Sequence, residues 1–236
     1  MIDYHFGEYL IKNYYKENIN FKNSKNTKLA IVMVATKESF WLPLVIKNTL
    51  SKIKNCNFYF FGTHTTINLI KSNLKDADIS YNEIDDFKNI KFYNNLLLDY
   101  KFWNKFREDY VLITQPDCII LRNVIDSDFN YDYIGAICGT IDVNKFIING
   151  GLSIRRNKIM KEICKQLENK KINKDLPEDI IFTNIIREKY NSPSLEACYN
   201  FSIESIGNID KVLGIHGTDK YYIHPKIKLD FINKFI

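Results

Sequence analysis

The sequence predicts an α/β fold, a mostly parallel central sheet flanked by helices and built as a single domain. Residues 29–35 (LAIVMVA), 57–62 (NFYFFG) and 110–114 (YVLIT) are short apolar, β-branched or aromatic runs bounded by polar residues, the pattern of strands buried on both faces. The segments between them carry helical spacing, so strand, helix and strand follow in turn and the strands pair in parallel. No Pro/Gly/Ser-rich linker and no internal repeat divides the 236 residues, a length that suits one large domain.

Taken in order, residues 1–28 read as a polar, aromatic-studded lead-in that ends in the loop Asn23-Ser24-Lys25-Asn26, and the domain proper runs over 29–236. The strand at 29–35 leads to a helix over 40–53, the strand at 57–62 to a helix over 65–73, and a short strand near 79–84 to one long helix over 92–106. The strand at 110–114 closes this half. Beyond residue 120 the pattern changes to short strand-like runs at 133–138, 146–148 and 151–154, followed by helices over 157–168 and 177–189. Ligands of such sheets gather at the carboxyl ends of the strands.

Composition narrows the function classes. A hydrophobic fraction of 45% with 9 Gly and 5 Pro excludes collagen-like and disordered chains. The net charge of +5 arises from 33 Lys+Arg against 28 Asp+Glu, and Lys dominates; scattered lysines without a recognition motif argue for no nucleic-acid partner. Five cysteines without a CxxC pair suit reduced thiols in the cytoplasm. The start lacks a signal-peptide pattern, and no apolar stretch reaches the ~18 residues of a membrane span. A cytoplasmic protein is expected, peripheral at most to the inner face of a membrane through its lysines. There is no Walker loop and no GxGxxG.

Several residues carry candidate chemistry. Asp117 follows the 110–114 strand directly, where a carboxylate suits a divalent cation bound to a diphosphate; Pro116-Asp117 also suits an ordinary turn. Asn149-Gly150-Gly151 permits close approach of backbone to a ligand, and Asn-Gly is equally a hairpin signal. Glu178 and Asp179 suit either a general base or a helix start, with Asp175 placed for a capping box and the helix dipole expected to keep Asp179 ionised. His216, in Gly214-Ile215-His216-Gly217, suits either metal ligation or local packing. Thr36 and Lys37 end the first strand, where they read equally as a polar loop. Trp41 and Trp103 read as core.

The ordered series Gln115-Pro116-Asp117, Tyr131-Asp132-Tyr133-Ile134-Gly135-Ala136, Asn149-Gly150-Gly151-Leu152-Ser153-Ile154-Arg155-Arg156, Pro177-Glu178-Asp179, Phe201-Ser202-Ile203-Glu204 and Gly214-Ile215-His216 resembles a poorly characterised family of GT-A-type glycosyltransferases. The resemblance spans about residues 29–217. It implies a GT-A-like fold with a donor-nucleotide half (29–121) and an acceptor half (122–236). It implies transfer from a nucleotide-sugar donor to a glycan, lipid-linked or polysaccharide acceptor, as in polysaccharide biosynthesis. Carried over, Asp117 matches the second acid of the family's Asp-x-Asp metal motif and, with His216, would hold Mn²⁺ or Mg²⁺. Thr36, Lys37, Asn149, Gly150, Gly151 and one of Arg155 or Arg156 would face the donor. Asp179 would be the base of an inverting transfer, with Glu178 orienting the acceptor. Two departures stand out: Gln115 replaces the first acid of the metal motif, and Ile137-Cys138-Gly139 replaces a Pro-Trp pair. Gln115 also motivates a second reading, a non-catalytic module that binds glycan or nucleotide.

Overall fold

The apolar run Leu29–Ala35 forms β1, buried along its whole length, as a strand covered on both faces must be. The structure is a computed structural model that describes residues 2–138, 146–169, 176–219 and 223–236. Strand β2 (Asn57–Gly62) pairs with β1 in parallel, and β3 (Ser80–Glu83) continues the sheet from β2. On the other side β4 (Tyr110–Thr114) is also parallel to β1. Next to β4 lies β7 (Ile147–Arg156), antiparallel to it and to the edge strand β6 (Tyr133–Cys138). The order is β3-β2-β1-β4-β7-β6, with β7 alone running against the rest. A small second sheet joins β5 (Ile119–Ile120), β9 (Gly214–Ile215) and β8 (Ser202–Ile203) beside the carboxyl end of β4.

The helices are α1 (Tyr4–Tyr14), α2 (Trp41–Lys52), α3 (His64–Asn73), α4 (Ile90–Leu97), α5 (Tyr100–Trp103), α6 (Asn157–Asn169), α7 (Glu178–Lys189), α8 (Leu195–Phe201) and α9 (Pro225–Phe235). This mixed α/β arrangement, a mostly parallel sheet flanked by helices around one core, is the predicted fold class.

Four features differ from the sequence reading. The lead-in contains α1, which buries Phe6, Tyr9, Leu10 and Tyr14 and sets Phe6 edge-on against Phe231 of α9, ring centroids 4.7 Å apart. The predicted long helix over 92–106 is two helices, because the Asp99 carboxylate accepts the Lys101 N–H at 2.8 Å and starts a new one. Trp103 stitches the break by donating its indole N–H to the Leu97 carbonyl at 2.6 Å. Asn149-Gly150 is no hairpin: the runs at 146–148 and 151–154 belong to one strand, paired with β4 through Leu152 and with β6 through Ile148. The chain after residue 190 also holds α8, β8, β9 and α9, which local periodicity did not mark. Gly139 and Asp175, named above, lie outside the described residues. The helix α7 starts at Glu178, with Pro177 as its N-cap and no side-chain capping bond.

Candidate active site

The chain leaves β4 through a tight turn in which the Cys118 N–H donates to the Gln115 carbonyl at 3.1 Å, so Pro116-Asp117 is a turn as well as a strand tip. The Gln115 N–H donates to the Gly151 carbonyl at 2.9 Å, tying this turn to β7. The Asp117 carbonyl accepts the Thr218 N–H at 3.0 Å and its hydroxyl at 2.8 Å, so the loop after β9 is docked over the turn. That loop carries His216, whose own N–H donates to Ile203 of β8 at 2.7 Å.

The His216 ring is 2% exposed. Its Nε2 lies 3.0 Å from Gln115 Oε1 and 3.6 Å from Asp117 Oδ1, and its Nδ1 lies 3.6 Å from Glu204 Oε1. Gly151 makes room for it: a Cβ there would overlap the imidazole ring. Because φ is not positive at Gly150 or Gly151, space and not backbone conformation accounts for these glycines. Asn149 Oδ1 accepts the Gly151 N–H at 2.7 Å, which spends its side-chain oxygen on the strand itself.

The neighbouring glycine makes room for a different pair of groups. A Cβ on Gly150 would overlap both Glu178 Oε1 and the Arg155 guanidinium. These two groups form a bidentate ion pair, at 2.8 Å (Nη1 to Oε2) and 3.0 Å (Nη2 to Oε1). Arg155 also donates from Nε to Ser153 Oγ at 3.1 Å and from Nη2 to the Gly150 carbonyl at 3.3 Å. The rings of Tyr133, Phe182 and Trp103 surround it at 4.6, 5.3 and 5.7 Å. Burial is the largest influence and favours the neutral guanidine, but the Glu178 carboxylate, Tyr133 and Tyr93 together outweigh it, so the group stays charged above its usual range. Arg155 is wholly buried, so the expected approach of this side chain to a donor is replaced by an internal ion pair. Arg156 points the opposite way, to Asp132 at 2.7 Å, as strand alternation requires.

Asp179 sits in the first turn of α7, partly buried. Burial first, then the charge of Glu178, push its carboxyl up to about 6, with Glu204 adding to the rise. The Ile180 N–H, which donates to Asp179 Oδ1 at 2.8 Å, and Arg155 oppose the shift. The expectation that the helix N-terminus lowers this group is therefore corrected in direction: desolvation and two neighbouring carboxylates raise it, although it remains ionised at neutral pH.

Thr36 and Lys37 lie beyond the carboxyl end of β1, on the same sheet edge as Asp117. They are engaged by the loop before α4: Lys37 pairs with Asp86 at 2.6 Å, and the Phe87 N–H reaches Thr36 Oγ1 at 3.5 Å. The structure thus sets Asp117 and His216 beside Gly151, and Arg155 and Glu178 beside Gly150. Asp179 bridges toward Glu204, and Thr36 and Lys37 stand to the side. Sequence reasoning assigned no role to Glu204, although it ends the block Phe201-Ser202-Ile203-Glu204, nor to buried Tyr93. The Tyr93 phenol is raised by burial and by Glu178, against the pull of the Gln115 amide.

Among the described residues no group of three or more His, Cys, Asp or Glu side chains gathers tightly enough to hold a metal ion. Asp117 and His216, with the Gln115 amide oxygen, nevertheless offer two oxygens and one imidazole nitrogen at one spot. That donor set fits a divalent cation that takes its remaining ligands from water and phosphate oxygens, and the imidazole suits Mn²⁺ better than Mg²⁺. Among the described residues no helix is long and apolar enough to cross a membrane.

A search of curated proteins finds no match. Among solved structures, the mannosyltransferase PcManGT from Pyrobaculum calidifontis, in complex with GDP-Man and Mn²⁺, aligns at a TM-score of 0.50 and 11% identity over 92% of this chain and 67% of that one. The apo glycosyltransferase GlyE of Streptococcus pneumoniae TIGR4 aligns at 0.47 and 16% identity, over 73% of this chain and 46% of that one. A second GlyE structure aligns at 0.49 and 17% identity, over 71% and 45%. The chain spans under half the length of these GlyE chains. At 11% identity the likeness to the mannosyltransferase is one of fold alone, a GT-A-like fold. The profile of the family described as "Protein of unknown function (DUF5672)" matches residues 77–216, more than half of the 236 residues, and the chain belongs to that family.

Proposed function

We propose that the chain is a glycosyltransferase that moves a sugar from a nucleoside-diphosphate donor to a hydroxyl of a glycan, lipid-linked or polysaccharide acceptor, with inversion. The observation that carries this reading is His216 set between Asp117 and Glu204 beside the carboxyl end of β4, with Glu204 in turn acting on the raised carboxyl of Asp179. The fold shared with a mannosyltransferase in complex with GDP-Man and Mn²⁺ supports it. Thr36 and Lys37 would contact the nucleotide, Lys37 exchanging Asp86 for phosphate, and Asn149, Gly150 and Gly151 would line the donor sugar. Asp117 and His216 would hold Mn²⁺ or Mg²⁺, which when bound supplies charge stabilisation to the leaving diphosphate. As the acceptor oxygen bonds to the anomeric carbon and the bond to the diphosphate breaks, Asp179 takes the acceptor proton. A base titrating near 6 is ionised at neutral pH yet more basic than an ordinary carboxylate. Five free cysteines support a cytoplasmic setting, and the lysine-rich surface supports contact with the inner face of a membrane.

The test is donor turnover by the parent, Asp117→Asn and Asp179→Asn with a panel of nucleotide sugars, with and without Mn²⁺. The expected result is loss of transfer by about 10²–10⁴-fold for Asp179→Asn. Transfer at the parental rate by both variants would remove the assigned roles. A second reading, a binding module without catalysis, draws on Gln115, whose amide engages His216 where an acid would add a metal ligand. It is distinguished by nucleotide-induced stabilisation with no donor hydrolysis.

A further inference from the structure

The buried Arg155–Glu178 pair joins two elements that carry the candidate site. Arg155 belongs to β7 and Glu178 opens α7, one residue before Asp179. The pair is bidentate, its side chains are 0% and 4% exposed, and three aromatic rings close around the guanidinium. Both oxygens of Glu178 are taken by Arg155, which leaves this carboxylate poorly placed to orient an acceptor. Replacing a buried pair of this kind with apolar residues often costs nothing in stability, so stability alone does not account for its presence.

We propose that Arg155 and Glu178 are positioning residues: the pair clamps the first turn of α7 to β7 and so fixes where, and in what electrostatic setting, Asp179 presents its carboxylate beside Glu204. The inference rests on the reading of Asp179 as the acceptor's base. Gly150 belongs to the same device, since only a residue without Cβ leaves the pair its space. Among the described residues, the charged or titratable groups facing Asp179 include Glu178, Arg155, Glu204 and the buried phenol of Tyr133, and Glu178 outweighs Arg155. The clamp therefore has a sign. Removing the Glu178 charge lowers the Asp179 midpoint, removing Arg155 alone raises it, and removing both lowers it by less than the first change.

The test follows the Asp179 carboxyl by ¹³C NMR titration, assigned by comparison with Asp179→Asn, in the parent, Glu178→Gln and the double variant Arg155→Met/Glu178→Gln. The double variant leaves no lone buried charge and covers the case in which Glu178→Gln does not fold. The expected result is a parental midpoint near 6 that drops in Glu178→Gln and drops by less in the double variant. Amide exchange in the first turn of α7 is expected to quicken in both variants. Amide exchange in the first turn of α7 that stays at the parental rate in the double variant would mean that the pair acts on Asp179 by charge alone and clamps nothing, and that result overturns the proposal, as does a midpoint unmoved in both variants. The titration needs no substrate. A moved midpoint with unimpaired transfer by Asp179→Asn would sink the catalytic reading and leave the electrostatic link standing.

Discussion

Adjacent glycines in β7 make room for different groups, and substituting each is expected to give a different phenotype. At Gly151 an added methyl meets the His216 ring, and at Gly150 it meets the Arg155–Glu178 pair. Gly151→Ala is expected to displace His216 and weaken Mn²⁺-dependent nucleotide binding at least tenfold by isothermal calorimetry. Gly150→Ala overpacks a fully buried region, which costs about 1–3 kcal/mol, read as a melting temperature lower by several degrees. Asp179 supplies a third residue-scale prediction. Its folded-state pKa lies above the unfolded value, so the folded chain holds the proton more tightly between about pH 4 and about pH 6. Stability attributable to this group therefore falls as pH rises through that window and stays low above it. Asp179→Asn removes the penalty: the variant is expected to be about 1–2 kcal/mol more stable than the parent at pH 7.5, screening by solvent at a partly exposed carboxylate being allowed for. The difference shrinks toward zero at pH 4, checked by urea unfolding across pH. A variant that is both more stable and inactive is the signature of a group kept for function.

At the scale of elements, α1 is the segment whose role was least expected. The Asp3 carboxylate caps α1 by accepting the His5 N–H at 3.2 Å and pairs with Lys228 of α9 at 2.8 Å. The Asp3 N–H donates to the Thr218 carbonyl at 2.9 Å, and Thr218 in turn holds the Asp117 turn. Asp3→Ala is expected to cost about 1 kcal/mol through the lost cap, measured as a fall of about 2–4 °C in melting temperature. The spacing of Phe6, Tyr9, Leu10 and Tyr14 does mark a helix, but the tyrosines and intervening charges mask it as a polar lead-in. The central strands were legible because each is a continuous apolar run buried on both faces. The direction of β7 was not, since local periodicity is blind to which way a strand runs. Asp117, His216 and Asp179 could be singled out by residue type and neighbours. The Gln115–His216 contact joins positions 101 residues apart and the Arg155–Glu178 pair spans 23, distances over which only the folded chain decides what meets.

For the whole molecule, the candidate site draws on the turn after β4, the strand β7, the start of α7 and the β8–β9 sheet, so a ligand bound there braces segments spread over a hundred residues of chain. A ligand that binds only the folded state stabilises it by RT ln(1 + [L]/Kd), about 2.7 kcal/mol at a hundredfold excess over Kd. For a chain of 236 residues each kcal/mol moves the midpoint by about 2–4 °C. The matching nucleoside diphosphate, tested among the uridine, guanosine and thymidine forms with Mn²⁺, is therefore expected to raise the melting temperature by roughly 5–10 °C. Asp117→Asn should abolish most of the Mn²⁺-dependent part of that rise while leaving the midpoint of the unliganded protein nearly unchanged, because its side chain is one-fifth exposed and the loop docking runs through its backbone carbonyl. Lys37→Ala should reduce the rise with and without Mn²⁺ alike, since its contact is with phosphate and not with the cation. Should none of the three diphosphates shift the parent, the nucleotide site at this edge of the sheet would be lost, and the proposed transfer chemistry with it.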